Sequence, residues 1–160
     1  MQTKTSYSGA QIALHWGIAL LIVLNYFISE GMAQIFDGSL AGRPVAGFLP
    51  AFHVYAGVTV LGLVLLRLAL RLGTGAPETT GAKTLMDRAA GWSHGLLYVL
   101  MVAVPALGAI TWYGGIAATA DLHVLALNAM MLLIAAHAAA ALFHQYFLRD
   151  GLLLRMIRPD

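Results

Sequence analysis

Apolar positions gather into four long stretches separated by polar breaks. Ile12–Ser29 has only His15 and Asn25 as strongly polar interruptions, and Ala51–Leu72 carries Arg67 and Arg71 at its end. Trp92–Tyr113 contains Pro105, which in a membrane helix kinks the chain rather than breaking it. Leu122–Leu148 is the longest. The connections Glu30–Pro50, Gly73–Gly91 and Gly114–Asp121 contain glycine, proline or acidic residues, as loops should. A bilayer-crossing helix needs about 20 mostly apolar residues, so the pattern predicts four spans. The first stretch, preceded by Lys4, has the outline of a secretory signal. No small-x-small cleavage site follows it cleanly, and Asn25 and Tyr26 lie inside it, so a retained span is expected.

Composition agrees with this reading. Of 160 residues, 60% are hydrophobic and 10% charged, against about 45–50% and about 25% in soluble domains. Mean hydropathy is +0.80. Sixteen charged side chains cannot coat a soluble globule of this size, and disorder is excluded on the same grounds. A scattered net charge of +2 gives no nucleic-acid footprint. The absence of cysteine removes disulfides, iron–sulfur clusters and covalently attached haem. With four spans, Lys4, Arg67, Arg71, Lys83, Arg88, Arg149, Arg155 and Arg158 fall on one side and Arg43 alone on the other. The positive-inside rule then puts both termini in the cytoplasm. The expected architecture is all-α, a single membrane domain over 1–160 forming an up-down-up-down four-helix bundle in a bacterial inner membrane.

The candidate chemistry lies in six histidines, His15, His53, His94, His123, His137 and His144, each in or at the end of a predicted span. Polar rings in hydrocarbon are rare and face the bundle interior. One such histidine is accounted for by a helix–helix hydrogen bond; six in four helices are not. His123 and His137 are 14 residues apart. At about 100° and about 1.5 Å per residue they share a face and differ in depth by about 21 Å. His53 opens the second span level with His123, and His15 lies near the depth of His137. Two levels, each with two imidazoles from different helices, suit bis-histidine ligation of b-type haem in a bundle core. A zinc site needs three or four ligands at one level, and the two glutamates, Glu30 and Glu78, lie in the connections. Small residues beside the histidines, among them Gly17, Gly57, Gly62 and Gly95, leave room for a flat ligand or simply allow close packing. Arg67, 14 residues after His53 on the same face, is placed to meet a haem propionate or to snorkel to the interface. His94 and His144 are expected nearer the inner surface. Either is an alternative inner ligand, and both, with Arg71, suit quinone binding or proton relay.

The chain resembles the bacterial di-haem cytochrome b561 family, and within it the superoxide oxidase branch. The resemblance is carried by His15-Trp16, His53, the run Val64–Leu72 with its two arginines, His94-Gly95-Leu96, and the tail His137–Phe147 followed by Leu153-Leu154-Arg155-Met156. It covers all four spans. It implies two haem b groups, the outer held by His53 and His123 and the inner by His15 and His137. It also implies electron transfer from superoxide outside to ubiquinone at the inner side. Two features depart from that branch: Gly114–Asp121 is short, and the outer loops set Arg43 against Glu30, Asp37 and Asp121, a poor field for steering an anion. A subunit exchanging electrons with a periplasmic redox protein is therefore the second reading. A histidine-lined metal or proton transporter, which would be colourless, is the third.

Overall fold

The computed structural model describes residues 7–75 and 85–159, so Lys4, Glu78 and Lys83 lie outside it. Among the described residues every regular element is helical: α1 (Gly9–Ile28), α2 (Met32–Leu40), α3 (Phe48–Thr74), α4 (Leu85–Gly114) and α5 (Ala117–Phe143). A π turn at His144–Leu148 and a 3-10 turn at Leu153–Met156 follow. Four helices, α1, α3, α4 and α5 with its π turn, are long and apolar enough to cross a membrane, which makes the chain a multi-pass membrane protein.

Helix limits depart from the expected spans mainly in the connections. Met32–Leu40, expected as loop, is a helix entered through Gly31 at φ 90°, a conformation glycine adopts without a Cβ clash. Helix α4 begins at Leu85, inside the expected Gly73–Gly91 loop, and runs on through Pro105. Helix α5 begins at Ala117, inside the expected Gly114–Asp121 loop. The turn between α4 and α5 is thereby cut to Gly115 and Ile116, with Gly115 at φ 65°. Thr111 and Thr119 hydroxyls bond across it at 2.8 Å.

The start of α1 is fastened by a capping box that the periodicity alone did not reveal. The Ser8 side chain accepts from Gln11 N and the Gln11 side chain accepts from Ser8 N, satisfying donors the helix leaves orphaned. The Gln11 amide also donates to Thr74 Oγ1 at 3.1 Å and Gly75 O at 3.3 Å, tying the start of α1 to the end of α3. At the opposite end, Asn25 and Ser29 of α1 meet His53 at the start of α3.

Helix α1 packs on α3, α3 on α4, and α4 on α5. Their shared core is Ile18, Ile22, Val60, Val64, Val104 and Met130, with Val64 wholly buried. Large apolar residues such as Phe27, Val99 and Leu132 point outward. That inversion suits lipid, where exclusion of apolar surface from water gives no drive to pack helices and close van der Waals fit must do so. Val64→Ala should therefore lower the stability of detergent-solubilised protein by about 1–3 kcal/mol, the cavity-dominated cost of core truncation. Leu132→Ala, on the outer surface, should change it by under about 0.5 kcal/mol. Denaturant titration followed by circular dichroism measures both.

Candidate functional site

All six histidines are half-buried, and five fall into two groups. At one level His53 of α3 and His123 of α5 have ring centroids 6.1 Å apart, with planes at 82°. At the other, His15 of α1 and His137 of α5 stand 6.5 Å apart at 73°, and His94 of α4 is 5.1 Å from His137. Helix α5 supplies one imidazole to each level, as its 14-residue spacing predicts.

These separations bear on what fits between the rings. A metal–imidazole bond of about 2.0–2.1 Å, with the ring centre about 1.1 Å beyond the nitrogen, places two trans imidazole centroids about 6.3 Å apart. The 6.1 and 6.5 Å pairs match that span, whereas 5.1 Å for His94 and His137 is too short for an ion between them. Among the described residues no three His, Asp or Glu side chains converge to hold a bare metal ion. The arrangement is pairs.

The His53–His123 level opens into a cavity of about 420 Å³, within the about 300–1,000 Å³ range of cofactor sites. His53, His123, Gly57 and Gly108 line it, and Phe36 of α2 and Trp112 of α4, with ring centroids 6.5 Å apart, lie on its wall. The short helix α2, absent from the sequence reading, thus supplies part of this wall. The two imidazoles are oriented through Nδ1. His123 Nδ1 lies 2.8 Å from Val104 O, and a carbonyl only accepts, so Nδ1 carries the proton and Nε2 keeps its lone pair. His53 Nδ1 lies 2.5 Å from Ser29 Oγ. This is the outer-shell pattern of metal-binding histidines, one nitrogen held by the protein and the other left for the ion.

Gly108 makes the His123 position possible. A Cβ there would meet Cε1 of that ring at 3.0 Å and Nδ1 at 3.1 Å. Nothing in the bare pattern of glycines marked it out, since Gly17, Gly57, Gly62 and Gly95 have open space at the same point.

The second level has a different electrostatic setting. Arg67 donates through Nη1 to Gln11 O at 2.9 Å and through Nε to Tyr98 Oη at 3.1 Å, leaving Nη2 available. It acts electrostatically on His15, His94 and His137. Arg71 lies 5.9 Å from the Tyr98 ring centre, a cation–π contact. The ring nitrogens of His15, His94 and His137 have no hydrogen-bond partner among the described residues.

His144 stands apart from both groups. It opens the π turn and pairs through Nδ1 with the Asp150 carboxylate. Arg149 between them takes the left-handed conformation, φ 55°. Trp16, beside His15, donates to Met156 O at 2.8 Å, so the chain after α5 folds back against α1.

Two expectations follow. Gly108→Val should displace the His123 ring and break its bond to Val104 O; bound haem, measured as pyridine haemochrome, should fall by about half, while Gly62→Ala leaves it unchanged. The second concerns pH. Desolvation opposes ionisation of Asp150, but hydrogen bonds from His144 and the Leu152 and Asp150 backbone, with the charge of His144, together outweigh it and hold the carboxyl below its usual value of 3.8. A depressed carboxyl stabilises the fold above its unfolded pKa and loses that effect as pH falls through the folded value. Amide exchange across 150–157 should thus quicken only below about pH 4, and at neutral pH in Asp150→Asn.

The model of the prokaryotic cytochrome b561 family matches residues 6–159. The chain is 46% identical to a cytochrome b562 of Cereibacter sphaeroides over 99% of both chains. It is 30% identical to cytochrome b561 homolog 1 of Escherichia coli, covering 94% of this chain and 96% of that one. It is 28% identical to a probable superoxide oxidase, CybB, of Yersinia pestis, covering 94% and 95%. No solved structure gives a significant match. Paired imidazoles between apolar helices and a match along nearly the whole chain lead to one conclusion: the protein belongs to the prokaryotic cytochrome b561 family of haem-binding membrane electron-transfer proteins.

Proposed function

We propose that the chain is a di-haem cytochrome b of the inner membrane, an up-down-up-down bundle with both termini cytoplasmic, passing electrons from a periplasmic donor to ubiquinone at the cytoplasmic side. The observation that carries this is the pair of histidine pairs, 6.1 and 6.5 Å apart, each matching the span of two axial ligands. His53 and His123 would hold the outer iron and His15 and His137 the inner one. The haems supply one-electron redox chemistry when bound. Everything else is the work of the chain's own residues. Val104 O fixes the His123 tautomer, Gly108 admits its ring, and the free Nη2 of Arg67 would meet an inner propionate. His94, too close to His137 to share an iron with it, lies with Arg71 toward the quinone. There, with His144 at the end of α5, it delivers the protons that reduced quinone takes up.

Electrostatics support an inward direction of flow. Arg67 and Arg71 sit by the inner group, and positive charge favours the reduced form there. Among the described residues no such cation acts on His53, which faces the C-terminus of α1, the negative end of a helix dipole. With haems bound, this difference between the two levels would favour transfer from the outer to the inner.

Two donors are in play. Superoxide follows from the likeness to the probable superoxide oxidase at 28% identity. A periplasmic redox protein is favoured by the outer surface, where Glu30, Asp37 and Asp121 outnumber Arg43. Arg43 itself is folded back on α2, its backbone N–H bonded to Gly38 O at 2.9 Å and its guanidinium lying against that glycine. Such a face attracts a cationic partner and repels superoxide. Stopped-flow mixing of the quinone-loaded protein with superoxide separates the two: rapid haem reduction supports superoxide, and none supports the partner.

Haem analysis of the purified protein should give about two haems per chain. His53→Ala and His123→Ala should lose the same redox component, and His15→Ala and His137→Ala the other, as read by potentiometric titration; loss of different components within a pair would redraw the ligands. His144→Ala should keep both haems and slow haem re-oxidation by added ubiquinone by about tenfold or more, within the about 10²–10⁴ range of acid–base groups or just below it. Unchanged re-oxidation would pass the proton role to His94.

A further inference from the structure

The ring nitrogen of His53 that faces the protein is held by a hydroxyl, and counting protons there fixes more than a contact distance. Ser29 caps the C-terminus of α1. Its Oγ lies 2.5 Å from His53 Nδ1 and is hydrogen-bonded to the Asn25 backbone carbonyl. The Asn25 side-chain oxygen is also within reach at 3.4 Å. A hydroxyl has one proton to give, and both Asn25 oxygens only accept. The Ser29 proton therefore goes to Asn25, and its lone pair faces His53. Nδ1 must then carry hydrogen, and Nε2 is bare.

The Asn25–Ser29–His53 chain does more than choose a tautomer. A hydroxyl that donates to a carbonyl is polarised into a better acceptor. A good acceptor on Nδ1–H raises the electron-donating strength of Nε2. Ser29 also sits at the end of α1, where unpaired carbonyls carry the negative end of the helix dipole and the last turn has no basic residue to offset it. Both effects favour the more positive, oxidised state of a metal bound at Nε2. Nothing equivalent serves His15, His94 or His137, whose ring nitrogens have no hydrogen-bond partner among the described residues.

We infer that Ser29 is a positioning residue for His53, fixing its tautomer and strengthening it as an axial ligand, so that the outer haem is held at a lower potential than His53 alone would give. This rests on the ligand pairs assigned under the proposed function. The test is a potentiometric titration of the purified holoprotein, with the outer component identified as the one missing from His53→Ala. Ser29→Ala should keep both haems and move the outer component to higher potential. The expected shift is about tenfold in its oxidised-to-reduced ratio, the lower end for losing an outer-shell partner, or about 59 mV for a one-electron couple. The inner component should stay in place, and Ser29→Thr, which keeps the hydroxyl, should restore the outer one. An unmoved outer component, an equal shift of both, or loss of the outer haem in Ser29→Ala would overturn the inference, since Ser29 is held to tune a bond that His53 makes without it. If His53→Ala itself kept both components, the ligand assignment would fail, whatever the Ser29 variants showed.

Discussion

An imidazole inside hydrocarbon has two nitrogens to satisfy and no water to satisfy them. That constraint organises this bundle. At the His53–His123 level each ring gives its Nδ1 to a protein oxygen, His123 to the Val104 carbonyl and His53 to the Ser29 hydroxyl, and keeps Nε2 for something else. The helices are placed so that this division is possible. Gly108 lets α4 carry its Val104 carbonyl against α5, and the end of α1 brings Ser29 to the start of α3. The polar cost of histidine in the membrane is thus reduced by the backbone and by short hydroxyl side chains, with no water required.

The His15–His137 level differs, because its ring nitrogens have no hydrogen-bond partner among the described residues. Its three rings lie among aromatic neighbours and near Arg67, whose own donors are partly spent on Gln11 O and Tyr98. Gln11 in turn closes the cap of α1 and grips the end of α3. One buried amide therefore links helix initiation, helix packing and the placement of the guanidinium. Among the described residues the two levels differ in kind, with hydrogen-bonded rings at one and guanidinium groups beside the rings at the other.

Much of this was legible in the order of residues. Four spans follow from apolar run length, and the pairing of His53 with His123 and of His15 with His137 follows from helical rise, because depth along a straight helix is arithmetic. What escaped is what depends on contact rather than depth. Helix α2 was hidden because Met32–Leu40 is too short and mixed for a span and is bordered by glycines. Ser29 and Asn25 are four apart on one face, a spacing that carries a signal only once α3 is known to start beside them. Gly108 looks like every other membrane glycine until a ring is seen against it. The capping box Ser8–Gln11 was readable as a motif but lay just outside the apolar run that defined the first span.

Helix α5 donates one imidazole to each level, and it is made after α1, α3 and α4. During synthesis His15, His53 and His94 enter the membrane first, and none of them has its α5 partner across the bundle until His123 and His137 follow. Neither site is complete until α5 is in place, and the contact of Trp16 with Met156 forms only when almost the whole chain has emerged. The pairing of imidazoles at both levels is in this way completed late in synthesis. A chain truncated before α5 would keep His15 and His53 and complete neither pair.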